Sequence, residues 1–144
     1  MKVNVIGLGK VGLPLAAVIA DSGIEVIGTD LDKNRVDMIN KGLNPLQEEP
    51  GLKELIEKHA QKNLTATTDS IQAAKQSTVH IVIVPLFIDE NKKPNFSALK
   101  KAFENISKGL KKNDLIVLET TVPVGTTDKF VKNILEQSKL KAGT

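Results

Sequence analysis

The chain has 144 residues, with 20 Lys and Arg against 17 Asp and Glu, a formal charge of +3. Its 40% hydrophobic and 26% charged content is ordinary globular usage, which excludes a disordered or collagen-like chain. The length suits one domain, residues 1–144, able to bury a core of its own.

Strand-length apolar runs alternate with longer segments of helical period. Val3–Ile6 and Glu25–Thr29 are the first two predicted strands, and Leu64–Thr67 is a weaker third. Val79–Val84 and Leu115–Leu118 are the fourth and fifth. Their nearly continuous Val, Ile and Leu usage is that of strands buried on both faces. Between them, residues 11–22 carry Val11, Leu15, Val18 and Ile19 on one side of a helix. Residues 32–41 turn Val36 and Ile39 inward, and residues 51–62 turn Leu52, Leu55 and Ile56 inward. A short helix is expected over Ile71–Ala74. Phe96–Leu110 places Leu99, Phe103 and Ile106 at helical spacing, and Thr127–Leu140 does so with Phe130, Val131, Ile134 and Leu135. Pro45, Pro50, Pro85, Pro94 and Pro123 fall at the junctions. This alternation predicts an α/β domain of the Rossmann type, a doubly wound parallel sheet of about five strands with helices on both faces.

Several function classes recede. No apolar run approaches the ~20 residues of a membrane span. The start, Met1-Lys2-Val3-Asn4, is too short and polar for a signal peptide. The absence of cysteine excludes disulfides, thiolate zinc sites and cysteine nucleophiles within this chain, and a reducing cytoplasm is its natural setting. Scattered lysines and only four aromatics, Phe87, Phe96, Phe103 and Phe130, argue against nucleic-acid binding. His59, on the polar side of a helix, and His80, within an apolar strand, lack partner ligands, so no metal site is expected and packing is the default for both.

Gly7-Leu8-Gly9-Lys10-Val11-Gly12 fits G-x-G-x-x-G between the first strand and first helix. There glycine permits a tight turn and lets backbone N–H groups approach a pyrophosphate at the helix N-terminus. Asp30 ends the second strand, 18 residues after Gly12, where a carboxylate accepts hydrogen bonds from an adenosine ribose and repels a 2′-phosphate, favouring NAD over NADP. The alternatives are a ligand-free turn and, for Asp30, a helix N-cap, a role Asp32 is equally able to fill. Arg35 either covers the adenosine or is a solvated helix charge; Lys10 either attracts phosphate or points to solvent. Glu119, a lone carboxylate, reads better as structural than as a general base.

Together with Gly7–Ala16 and Asp30, three further segments carry a resemblance: Gly42–Glu49, Val84–Leu99 and Glu119–Thr127. The sequence resembles the UDP-glucose/GDP-mannose dehydrogenase family, the nucleotide-sugar 6-dehydrogenases, over essentially its whole length, most closely the UDP-N-acetylmannosamine branch. The resemblance implies oxidation of the sugar C6 alcohol of a UDP-sugar to a carboxylate with two NAD, through a covalent cysteine intermediate. The family's cysteine, lysine and principal glutamate lie downstream of the matched region. The chain is therefore expected to be the N-terminal cofactor domain of a longer, homo-oligomeric enzyme of polysaccharide biosynthesis, inactive alone. Lys10 and Val11 match positions whose backbone meets the pyrophosphate, and Arg35 matches a basic position near the adenosine. Pro85 and Leu86 fall in the cofactor-facing segment after the fourth strand, and Thr121 matches a threonine that orders the catalytic water near the nicotinamide. Lys10 stands where many members carry tyrosine. Leu86 stands in place of a threonine and brings no hydroxyl, and Phe87 in place of a proline. Two other readings share the glycine start: a regulatory NAD-binding module of the potassium-transport type, which has no need of Thr120–Thr127, and the N-terminal domain of a β-hydroxyacid dehydrogenase.

Overall fold

In the computed structural model, which describes residues 1–46 and 49–143, five parallel strands form one sheet. They are β1 (Lys2–Ile6), β2 (Glu25–Thr29), β3 (Leu64–Thr67), β4 (Val79–Val82) and β7 (Leu115–Leu118). The spatial order is β3-β2-β1-β4-β7, so the chain winds outward from β1 in one direction and then returns to wind in the other. The carboxyl ends of β1 and β4 flank that reversal, the place where open α/β sheets hold ligands. Register is unbroken across it: Val3 to Ile6 pair with Val79 to Val82 on one side and with Val26 to Thr29 on the other.

The pleat sends alternate residues to opposite faces. Val3 and Val5 pack with Leu13, Ala16, Ala17, Val36, Ile39 and Ile56, contributed by α1 (Gly12–Asp21), α2 (Lys33–Asn40) and α3 (Leu52–His59). Ile6 and Val82 pack on the other face with Leu99, Phe103 and Ile106 of α5 (Ser97–Gly109) and Ile134 of α6 (Lys132–Leu135). Leu99, Phe103 and Ile106 are wholly buried, each contributing roughly 1.5–3 kcal/mol. The remaining helix, α4 (Ser70–Gln76), is capped by Asp69 and packs on α5.

Several sequence expectations are corrected. The inward side of α1 is Leu13, Ala16, Ala17 and Ala20, whereas Val11 and Val18 are exposed. Small alanines let this helix lie close to the sheet, and that closeness outweighs side-chain size. The fourth strand ends at Val82, two residues early, although the Ile83 N–H still bonds to the Ile6 carbonyl. The last helix is not continuous: a π-helical turn over Thr126–Val131 precedes α6, and a 3-10 turn over Glu136–Ser138 follows it. Between β4 and α5 lies an unforeseen hairpin, β5 (Phe87–Ile88) with β6 (Pro94–Asn95), closed by Asp89 Oδ1 accepting from the Asn91 and Lys93 N–H groups. His59 is buried, not on a polar surface, because the end of α3 meets the end of α1. Its Nε2 lies 2.7 Å from Asp21 Oδ1 and its Nδ1 2.7 Å from Asn63 Oδ1. In the Gly42–Glu49 segment, Gln47 and Glu48 lie outside the described residues, as does Thr144.

Candidate cofactor site

The glycine loop shows three different reasons for glycine. Gly7 has φ +96°, and a Cβ there would sit 2.5 Å from the Ile83 carbonyl oxygen. At Gly12 a Cβ would sit 1.8 Å from the Gly7 carbonyl oxygen, so the helix can start here only without a side chain. Gly9 differs. Its φ is ordinary, and apart from its two chain neighbours no atom of the described residues lies within 4 Å of where its Cβ would be. Nothing within the fold asks for glycine there; the space is clear for an approaching ligand.

Leu8 fixes this loop from beneath. It is wholly buried, and its Cδ atoms occupy the space that a side chain on Gly28 of β2 would take. The loop leads into α1, whose N-cap, Val11, supplies no side-chain hydrogen bond and whose first turn has no acidic residue. No side chain neutralises the partial positive charge of this helix start, which is therefore open to an external anion.

Asp30 follows β2 directly. Its Oδ2 accepts from the Leu8 N–H at 2.8 Å and from Arg35 Nη1 at 3.0 Å; its Oδ1 accepts from the Asp32 N–H at 2.9 Å. Burial pushes its pKa up, but the Asp32 and Leu8 N–H groups and the Arg35 guanidinium outweigh burial and hold it below the ordinary carboxylate value. The group is an anion at neutral pH. A carboxylate offers roughly four acceptor directions, of which these bonds take three, so Asp30 retains capacity for a hydroxyl. Asp32 fills the N-cap role, accepting from the Asn34 and Arg35 N–H groups. Of the two readings of Arg35, the ion pair replaces the solvated charge.

These groups share one cavity of about 380 Å³, within the roughly 300–1,000 Å³ of small-molecule sites. Gly7, Gly9, Asp30, Arg35 and Pro85 line it, joined by Thr29, Leu31, Ser70 and one face of α5, which the sequence reading did not include. Lys10 and Val11 are exposed on the loop outside the lining, and Gly12 is buried beneath it. Leu86, half-buried, is not among the lining residues. Thr121 is exposed beyond β7, apart from the cavity; its neighbour Thr120 donates to the Val84 carbonyl at 2.7 Å, tying that segment to the end of β4. Glu119 is exposed at the same strand end. A larger crevice of about 590 Å³ runs along β7 and the C-terminal helical turns, but no fingerprint residue lines it. Among the described residues no cluster of three or more His, Cys, Asp or Glu is placed to hold a metal ion, and no helix is long and apolar enough to cross a membrane.

A parallel sheet in this order, with a glycine loop at the helix start and an acid after the second strand, defines a dinucleotide-binding domain. The chain belongs to the UDP-glucose/GDP-mannose dehydrogenase family, whose NAD binding domain matches residues 1–144. It is 43% identical over 140 residues to UDP-N-acetyl-D-mannosamine dehydrogenase of Campylobacter jejuni, covering 94% of this chain and 33% of that protein. It is 37% identical over 139 residues to UDP-N-acetyl-D-glucosamine 6-dehydrogenase of Pseudomonas aeruginosa, covering 95% and 31%. The solved UDP-D-ManNAc dehydrogenase of Pyrococcus horikoshii superposes with a TM-score of 0.92 at 29% identity, covering 100% of this chain and 34% of that one. The chain thus spans about a third of the length of the relatives it matches. NAD is the cofactor of this domain family.

Proposed function

We propose that this chain is the cofactor domain of a UDP-sugar 6-dehydrogenase that oxidises the C6 alcohol of an N-acetylated UDP-hexosamine to the carboxylate, UDP-N-acetylmannosamine before its epimers. The observation that carries the cofactor reading is Gly9: a glycine with no steric reason of its own, at an uncapped helix start, on the same cavity as the Asp30 carboxylate. Bound NAD supplies a hydride acceptor, its nicotinamide. The backbone N–H groups of Gly9, Lys10 and Val11 hold the pyrophosphate, and Asp30 accepts from the adenosine ribose while Arg35 keeps its charge balanced. Pro85 walls the crevice, and Thr121, beside the anchored Thr120, orders water at the nicotinamide end. The sugar preference rests on the relatives' names, which also include N-acetylglucosamine and N-acetylgalactosaminuronic acid enzymes. With no cysteine, this chain has no thiol for a covalent step.

The test is calorimetry and turnover on the chain as it stands. NAD binding without oxidation of UDP-N-acetylmannosamine, UDP-N-acetylglucosamine or UDP-glucose is expected. Absence of NAD binding would overturn the cofactor reading, and turnover of any of these sugars would overturn the assignment as a cofactor domain alone.

A further inference from the structure

Two adjacent stripes run along α5. Leu99, Phe103 and Ile106 are buried in the core. Ala98, Lys101, Ala102 and Asn105, at i, i+3, i+4 and i+7, form the next stripe, and all four line the Asp30 cavity. The two alanines share this cavity with Leu31, Val84 and Pro85, apolar surface against which a planar ring can stack. The Asn105 side chain is half-buried on this stripe and makes no hydrogen bond to another described residue, so its carboxamide is available to a ligand in the cavity. It is the one carboxamide among the lining residues.

A purine with an exocyclic amine presents a donor, the amine N–H, beside a ring-nitrogen acceptor. Its complement is an acceptor and a donor held side by side. Asn supplies that pair in its Oδ1 and Nδ2; Lys101 has donors only, and the Ser70 hydroxyl donates and accepts through a single oxygen rather than through two adjacent atoms.

We infer that Asn105 reads the amine-bearing edge of the cofactor's adenine, making this face of α5 the determinant of base specificity. The inference rests on the NAD reading above and adds to it the residue that selects the base.

The test compares NAD with its 1,N6-etheno derivative, in which a two-carbon bridge blocks that edge and leaves ribose, pyrophosphate and nicotinamide intact. Binding of each to the whole chain is measured by calorimetry. The unaltered chain should prefer NAD. Asn105→Ala should weaken NAD by about three- to tenfold, the span of one neutral hydrogen bond or slightly more, and leave the etheno derivative within about twofold, so that the preference collapses. Asn105→Asp keeps the side chain's size, removes its donor and should weaken NAD at least as much; circular dichroism melting checks that both variants fold. Equal weakening of both ligands, or of neither, would overturn the role of Asn105 while leaving NAD binding intact. If the unaltered chain binds neither ligand, the NAD reading fails first and takes this inference with it.

Discussion

Asp30 and Asp32 stand two residues apart at the same strand-to-helix junction and are used differently. Asp32 spends its carboxylate on the first turn of α2, while Asp30 receives N–H groups from the glycine loop and from Asp32 itself. Asp30→Ala is therefore expected to weaken NAD binding by about 1.5–3 kcal/mol, the worth of charge-assisted hydrogen bonds, or about ten- to over a hundredfold by calorimetry. It should also narrow the margin between NAD and NADP, because removing the anion frees Arg35 to meet a 2′-phosphate. An unchanged affinity would remove Asp30 from the site. Gly9 and Gly12 separate binding from folding in the same way. Gly9→Ala should leave the melting temperature unchanged or slightly raised and weaken NAD at least tenfold by obstructing the loop's outer surface. Gly12→Ala should cost about 1–3 kcal/mol of stability in a urea melt, because its Cβ meets backbone that cannot move aside. Equal effects of the two substitutions would sink this division.

At the scale of elements, legibility followed how local the determining forces are. The strands were readable where Val, Ile and Leu run together, as in β4 and β7, and least so in β3, where two of four residues are threonine. Placing α1's buried side was harder. The sequence offers large Val11 and Val18 on one side and small Ala16, Ala17 and Ala20 on another, and only the closeness of the sheet decides that the small residues go inward. The β5–β6 hairpin was unreadable as strand because each arm is two residues long, and its order comes from one side chain, Asp89, rather than from alternation. The final helix looked continuous by apolar period, yet Gly125 at φ +82° sets an entry that starts it as a π-helical turn, a backbone matter that periodicity does not record. For the site, the loop and Asp30 were visible as motif. The α5 stripe was not: Ala98, Lys101, Ala102 and Asn105 read as the ordinary outer face of an amphipathic helix until the fold brings them to the same cavity as Asp30.

At the scale of the whole molecule, the sheet also buries a set of polar groups centred on His80. His80 on β4 is wholly buried; its Nε2 is 3.5 Å from Asp114 Oδ2, at the long limit of a hydrogen bond, and Lys111 Nζ is 3.3 Å from the same oxygen. Its Nδ1, the Asn4 Nδ2 in register on β1 and the Ser77 Oγ are buried without a partner among the described residues. Burial lowers the His80 pKa, with Asp114 opposing and Lys111 assisting, so the ring is neutral in the folded chain at pH 7. The unfolded chain takes up that proton near its ordinary value of about 6.5 while the folded one resists, so stability falls as pH drops from about 6.5 toward the lowered folded value. Thermal melts at pH 7.5 and 5.5 should show this loss, and His80→Gln should flatten it whatever its absolute stability. A slope of equal size in the variant would assign the effect elsewhere. The lowered pKa of Asp30 acts only in more acid solution, its contribution being complete above about pH 4 and lost below that.

The way Leu8 sits over Gly28 carries one more consequence. A side chain clamped into the sheet beneath the glycine loop fixes that loop's shape in the free chain, so on the proposed reading little chain disorder is surrendered when a dinucleotide is captured. Association should then run as a single fast phase limited by encounter. Giving Gly28 a methyl group would dislodge the clamp and make capture slow, from a distance, without altering any atom that the ligand meets.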